Sequence, residues 1–427
     1  MVDGVSAEII DPDTYLTGVP YAQLAQLRRT SPVTRVDDFW AVLRHADVRH
    51  VLRNPALFSS HLGGTQIRDP ATAADLAYVR KMMLNSDPPD HARLRNLLTR
   101  AFTPRAVARL TERIQRWAHD LVANVADRGE CDFATEVAAD LPLRTLADVF
   151  GVPEQDRRLM YDWSNRVIGY QDAEYAASAT AHDDDLTDMA LGVLALRPTP
   201  GPNGELPDPR GRNGMPDLYA YANALGEHKR NHPGDDVMSI LMRHVDDDGG
   251  RVSLAEFENL FWLFSVAGNE TLRNGLPGGL LALLTHPDQY RGLLADRSLL
   301  PGAVEEMLRW WTPVMHFRRT ATTATRLSGV DIEAGDKVVV WFTSANRDES
   351  VFADPDTFDV TRTPNDHLTF GHGPHFCLGA PLARIQMRAM FDAVLDQLGE
   401  VELVGEPVRL RSNFQHGVKH LPIGWRR

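Results

Sequence analysis

The longest helical periodicity in the chain starts at Ser253 and carries an apolar run to about Leu284. Ser253-Leu254-Ala255-Glu256 has the spacing of a capping box, which satisfies two of the orphan N–H groups at a helix start. On a 3.6-residue period Leu263, Val266, Ala267, Glu270 and Thr271 fall on one stripe, so an acid and an alcohol interrupt an otherwise apolar face. Burying an unpaired carboxylate or hydroxyl costs on the order of a few kcal/mol, which makes packing alone a poor explanation for them. Pro277 lies inside the same run, removes a donor and crowds the carbonyl of Arg273. A kink or broken turn is therefore predicted about two turns beyond Thr271.

The rest of the pattern is mostly helical, with joints marked by Pro and Gly and a few short strand candidates. A helix is predicted from Leu378, with Ala380, Leu382, Ala383 and Arg384 behind it. Another follows the Pro-Pro stop in Asp87-Pro88-Pro89-Asp90-His91-Ala92-Arg93-Leu94-Arg95, placing His91 and Arg95 on one face. Glu306-Met307-Leu308-Arg309 puts a carboxylate and a guanidinium on one helix face. Ile332 to Trp341 reads as a turn entering a buried strand. Pro198–Pro216 holds six prolines and four glycines with hardly an apolar residue, the composition of a flexible surface loop.

Composition narrows the class. The chain has 427 residues, of which 43% are hydrophobic, enough for a substantial core. No repeat or linker divides it, so residues 1–427 are expected to form one large domain. Two cysteines, Cys131 and Cys377, are too few and too distant for a disulfide scaffold or a zinc site, which points to a reducing compartment and a cytoplasmic protein. The opening Met1 to Glu8 has neither a basic flank nor an apolar stretch, so neither a signal peptide nor a membrane anchor is expected. A net charge of −13 argues against nucleic acid as a partner. Against that acidic background, Arg93, Arg95, Arg100, Arg105, Arg109, Arg113 and Arg116 face only Glu112, a basic island whose ordinary meaning is a solvated helix face.

Chemistry is stated most plainly between Phe370 and Gly379, where Cys377 is framed by glycines and aromatics. Iron needs a deprotonated sulfur, and a thiolate persists where nearby dipoles or cations lower its pKa. The helix opening behind Cys377 points its positive end at the sulfur. Gly371, Gly373 and Gly379 free the backbone to turn sharply and to lie against a flat macrocycle, and Phe370 shields the sulfur from water. The segment reads as a haem-thiolate ligand loop.

This loop resembles the cysteine-ligand signature of the cytochromes P450, which use a thiolate-bound haem to split molecular oxygen. Glu306 and Arg309 match the family's Glu-x-x-Arg, and Arg362 stands where the family supplies the third member of a structural charge network. Ala267-Gly268-Asn269-Glu270-Thr271 matches the oxygen-binding stretch. The resemblance implies a mainly α fold, a large helical domain with small β-sheets around a buried haem b. It also implies that Glu270 and Thr271 deliver protons to O2, with Ala267 and Gly268 making room for it. Cofactor contacts are implied for His91, Arg95, Arg319, Phe370, Gly371, His375 and Gly379, and iron ligation for Cys377, with His91, Arg95, Arg319 and His375 clamping the propionates.

Two further expectations follow from the resemblance. An acidic ferredoxin, served by its reductase, docks on the sulfur side of the haem, where the basic island with Arg384 and Arg388 would meet it. The substrate is an apolar small molecule bordered by Leu263, Val266, Ala267, Val314, Met315, Phe317 and Phe414, with the segment from Leu62 to Ile67 nearby. The motifs around Val314 to Ala321 and Ser344 to Asp348 look most like actinobacterial hydroxylases of sterols, terpenoids and branched lipids. Atypical oxidation within the family, such as ring coupling or peroxide-driven chemistry, and a haem-thiolate gas sensor stand as alternatives. The Glu270-Thr271 pair speaks against both a pure peroxygenase and a sensor.

Overall fold

The computed structural model describes residues 8–99, 103–176, 185–201, 206–245 and 251–426. Arg100 of the basic island, the first seven residues and 202–205 of the proline-rich loop lie outside the described residues. In chain order, the helices that matter here are α1 (His45–Arg53), α2 (Asp90–Thr99), α3 (Pro104–Ala126), α4 (Arg157–Ile168), α5 (Pro216–Asn231), α6 (Leu254–Ala267), α7 (Glu270–Leu284), α8 (Leu300–Trp311) and α9 (Ala380–Gln397). The strands are β1 (Val33–Val36), β2 (Phe39–Val42), β3 (His316–Ala321) and β4 (Lys337–Trp341). The fold is that of a mainly α protein with small sheets. The described residues group into two compact units, one drawn from Met1–Phe58, Ala108–Pro142 and Thr271–Arg427, the other from Ser59–Val107 and Leu143–Glu270.

The first unit is organised by four strands, in the order β1-β2-β4-β3, of a five-stranded sheet whose last strand is the short Phe58–Ser59. β2 and β4 run parallel, with Ala41 opposite Val339, while β3 and β4 run antiparallel, with His316 opposite Trp341. Val338, Val339, Val340 and Trp341 are all fully buried, as the unbroken apolar run of a strand covered on both faces requires. The strand predicted within Ile332–Trp341 is β4, entered through a turn at Gly335, whose φ of 91° favours glycine. Against this sheet pack Val48, Val51 and Leu52 of α1 and Phe58.

The second unit is centred on α4, α5 and α6. Trp163, Tyr221 and Phe261, one from each helix, meet with ring centroids 5.2 to 6.0 Å apart and are excluded from solvent. At the start of α6 the capping box is formed: Glu256 N–H donates to Ser253 Oγ (3.3 Å) and Ser253 N–H to the Glu256 carboxylate (2.7 Å).

The predicted long helix corrects in one respect. It runs unbroken through Pro277, and the interruption falls earlier, as a turn at Gly268 and Asn269 that separates α6 from α7. A Cβ at Gly268 would meet Leu146 Cδ1 at 2.6 Å, so a glycine is what leaves room for that side chain where the ladder opens. Proline costs an interior helix one hydrogen bond. Burial of Leu276, Leu280 and Leu283 around it holds the helix together despite that loss.

The proline-rich loop is anchored rather than free at its two ends. Arg197, just before it, donates to Asp162 of α4 (2.8 Å), and Asp217, just after it, accepts from Trp163 Nε1 (2.8 Å) and from Arg166 of the same helix. Midway, Arg210 lies over the Tyr170 ring at 5.4 Å and the Pro209 carbonyl accepts from Trp262.

Candidate active site

The ligand loop belongs to the first unit. Gly371 and Gly373 have φ values of 72° and 71°, a region that side chains avoid. A Cβ on Gly373 would also sit 2.5 Å from the Leu52 carbonyl, so this glycine lets the loop lie on the end of α1. Gly379 is different: its φ is −82°, an ordinary value. A Cβ there would stand 3.8 Å from Cys377 Sγ, an ordinary contact, which places Gly379 beside the sulfur without requiring glycine in this structure. Cys377 N–H donates to the Phe370 carbonyl at 2.9 Å and closes the loop. α9 opens at Ala380, two residues later than predicted, with Gly379 as its N-cap, and brings its positive end to the sulfur.

The two cysteines differ sharply. Cys131 is buried, and burial pushes its thiol up to about 12, so it stays protonated. Cys377 is exposed on the loop face. An exposed cysteine with Gly379 two residues on fits the face of a haem; a buried thiol of that pKa does not.

The same unit holds a charge network in which Glu306 and Arg309 are themselves saturated, although Asn365 Oδ1 at its edge has no partner. Glu306 Oε1 accepts from Arg309 (2.6 Å), the Asp359 N–H (3.0 Å) and Arg362 Nε (3.3 Å), and Oε2 accepts from Arg309 Nε (2.7 Å) and Asn365 (3.0 Å). Arg309 spends its remaining donors on the carbonyls of Asn346, Pro355 and Thr357. Asn346, wholly buried, accepts from the Leu368 N–H (2.7 Å) and donates to Thr369 (2.9 Å), which pins the residues entering the ligand loop. Arg319 is buried on β3 in the same unit and donates to the Arg318 carbonyl (2.8 Å), while His375 is half-buried in the turn before Cys377.

Val314, Met315, Phe317 and Phe414 are brought together where the start of β3 meets the segment around Phe414. Val314 bridges Gln415, Met315 N–H donates to the Phe414 carbonyl (3.0 Å), and the rings of Phe317 and Phe414 stand 5.8 Å apart. Met315 is fully buried and lines no open surface; Val314, Phe317 and Phe414 are partly open.

The second unit carries the oxygen-binding stretch as far as Glu270. Ala267 is exposed and Gly268 half-buried, whereas Leu263, Val266, Asn269 and Glu270 are buried. Glu270 accepts a hydrogen bond from Ser164 Oγ of α4 at 2.8 Å. Thr271, which follows it as the second residue of α7, is half-buried. On α2, His91 is buried and Arg95 half-buried, four residues apart as predicted.

These features converge with sequence comparison. The cytochrome P450 family model matches residues 223–413. The chain is 35% identical to a steroid C26-monooxygenase of Rhodococcus jostii, over 98% of this chain and 84% of that protein. It is 39% identical to a methyl-branched lipid omega-hydroxylase of Mycobacterium bovis, over 94% and 90%. The chain belongs to the cytochrome P450 family. Among solved structures, a Mycobacterium marinum cytochrome P450 in complex with pseudoionone superposes with a TM-score of 0.80 at 36% identity, covering 95% of this chain and 94% of that one. This P450 is accordingly an oxidoreductase of the monooxygenase kind.

Several residues of this P450 site are invisible to sequence reasoning. Ser164 lies 106 positions from Glu270, and nothing local marks it. Asn365, Glu305 and His367 flank motif residues and carry no spacing signal. Arg384 was legible as a cation near the cysteine but not as the partner of Glu305, which holds it through two hydrogen bonds of 2.7 Å. No helix among the described residues is long and apolar enough to cross a membrane.

Proposed function

We propose that this P450 inserts one oxygen atom from O2 into an apolar small molecule, a steroid, terpenoid, branched lipid or related metabolite, with electrons from NAD(P)H passed through a ferredoxin reductase and a ferredoxin in the cytoplasm. The names of the two curated relatives, one acting on steroids and one on methyl-branched lipids, support that substrate class. Haem b held by Cys377 would supply the reductive activation of dioxygen. His91, Arg95, Arg319 and His375 would neutralise its carboxylates. Val314, Phe317 and Phe414 present an apolar, aromatic surface to the substrate, and Arg109, Arg113, Arg116 and Arg388, all exposed, offer cations to an acidic electron donor.

The observation that carries the oxygenase reading is the difference in burial among the residues on either side of the α6–α7 turn. Glu270 is wholly buried and hydrogen-bonded by Ser164, while the adjoining Thr271 and Ala267 stay open. A carboxyl so placed can hold a proton out of bulk water, and the neighbouring hydroxyl can hand it on. In Thr271→Ala, substrate binding and NADPH consumption are expected to persist while much of the reducing power appears as hydrogen peroxide. In Glu270→Ala the whole cycle slows, since a positioned proton donor contributes roughly 10² to 10⁴ in rate. Product formed per NADPH, measured with peroxide, checks both. Unchanged coupling in the first and unchanged turnover in the second would move the assignment to peroxide-driven chemistry. Ligation is checked separately: Cys377→Ser loses the red-shifted carbon monoxide band of a thiolate haem, and Cys131→Ser keeps it.

A further inference from the structure

Phe370 is held from outside the loop by a cluster that the Glu306 network does not include. The Arg384 guanidinium lies 4.5 Å from the centroid of the Phe370 ring, within cation–π range. It is fixed there by the neighbouring acid of α8: Arg384 Nε and an NH2 group donate to the two oxygens of Glu305, both at 2.7 Å, a fork-to-fork pair. His367 adds a contact from its Nε2 to Glu305 Oε2 at 3.2 Å and sets its ring 5.9 Å from that of Phe370. On its other side Phe370 meets Phe376 at 6.2 Å, and its carbonyl takes the Cys377 N–H. The cluster therefore grips the residue that grips the cysteine, and all its members lie in one unit.

Its charge state is settled by its geometry. Burial alone would raise the Glu305 carboxyl, yet hydrogen bonds from His367 and Arg384 outweigh that and bring it to about 2. A full negative and a full positive charge thus stand side by side behind the sulfur-bearing loop, both partly buried, with the cation against the Phe370 ring. Charges in that position act on the energy of the iron–thiolate unit, because the electron added on reduction is stabilised by a nearby cation and opposed by a nearby anion.

We infer that the Arg384–Glu305 pair, with Phe370 and His367, is a positioning and potential-setting clamp for the thiolate, in which the two charges offset each other and Arg384 is committed to this role rather than to electron-donor docking. The inference rests on Cys377 being the haem ligand. It assigns Arg384 and Glu305 opposite electrostatic effects on the same centre, which a merely structural pair would not have.

The test is a spectroelectrochemical titration of the haem-loaded full chain in four forms: wild type, Glu305→Gln, Arg384→Gln and the double variant. Glu305→Gln, which leaves the cation uncompensated, is expected to shift the midpoint potential upward. Arg384→Gln, which leaves the anion, is expected to shift it downward, and the double variant returns towards wild type. Arg384→Lys keeps the charge but not the planar stack, so it should hold the potential close to wild type while broadening the carbon monoxide band. Shifts of the same sign in Glu305→Gln and Arg384→Gln, or none in either, would overturn the inference. If Arg384→Gln fails to retain haem, the upward shift in Glu305→Gln and the near-normal potential of Arg384→Lys still decide it. The carbon monoxide band of the wild type reports ligation independently: its absence would refute Cys377 as ligand, whereas its presence with unmoved potentials would refute only the clamp.

Discussion

Two buried charge networks, one in each unit, show how differently the same residue types can be used. In the first unit Glu306 receives five donors shared between its two oxygens, and Arg309 spends its remaining donors on three carbonyls. In the second, Arg166 lies between Asp162 and Asp217, but its Nε makes no hydrogen bond although it stands 3.2 Å from Asp162 Oδ2, and Asp217 Oδ1 has no partner. Burial is the largest influence on Asp162 and raises its pKa despite the arginines at 166 and 197. A saturated network resists opening because every departing group leaves several partners unsatisfied. A partly satisfied one has less to lose, and this one ties down both ends of the proline-rich loop. The contrast teaches that buried charge is scaffold where it is saturated and a releasable anchor where it is not.

The largest test of that contrast is to break both. Glu306→Ala or Arg309→Ala should cost about 3 to 5 kcal/mol, because each strands a buried charge, and should lower haem incorporation and yield. Asp162→Asn, which leaves Arg166 paired with Asp217 and removes a charge that burial already opposes, is expected to cost less. Chemical denaturation together with haem content per chain checks the pair. Equal losses would show that the two networks are alike.

Glycine substitutions sharpen the comparison at a smaller scale. A Cβ at Gly278 of α7 would lie 2.1 Å from the Trp311 ring of α8, a rigid group with no direction in which to yield. At Gly268 the obstruction is the tip of Leu146, which can change rotamer. Gly278→Ala is therefore expected to destabilise by about 3 kcal/mol, at the upper end of overpacking costs, and Gly268→Ala by about 1 kcal/mol. Melting temperatures of the two variants, measured side by side, give the order.

A further effect concerns pH. His316 and His416, both in the first unit and both fully buried, have pKa values lowered by burial from the usual 6.5 to about 4 and about 3. Each is neutral in the folded protein and protonates more readily when unfolded, so its contribution to stability is complete above pH 6.5 and is lost as pH falls from there towards 4. Thermal melts between pH 7.5 and 5 should show the decline, and His416→Gln should make it shallower. A stability independent of pH in that window would mean that the two rings are not held neutral.

How much of this was legible in the sequence varied by element. The capping box at Ser253 formed as its spacing demands, since both partners lie within one turn and no distant contact is needed. The strand at Lys337–Trp341 and the glycine turns of the ligand loop were equally local. The helix break falls at Gly268 and not at Pro277: a proline is visible in the sequence, whereas the packing of Leu146 against the glycine is not. At Gly379 the sequence does not distinguish a turn from a place beside the sulfur, and the structure gives it an ordinary φ of −82° next to Cys377.

By itself the sequence pointed to the candidate chemistry of this P450: which cysteine stands in a glycine-framed loop, which acid and alcohol stand side by side, and which carboxylate pairs with the guanidinium three residues on. These are matters of residue type and short-range period, and covalent connection enforces them. Tertiary structure decided what those groups lean on. Ser164 reaching Glu270, Glu305 holding Arg384 over Phe370, and Arg197 and Asp217 bracketing a loop on one helix are all contacts between segments distant in the chain. The reason is physical: hydrogen bonds and ring contacts act over a few ångströms, and only packing of the buried apolar surface brings such segments within that range.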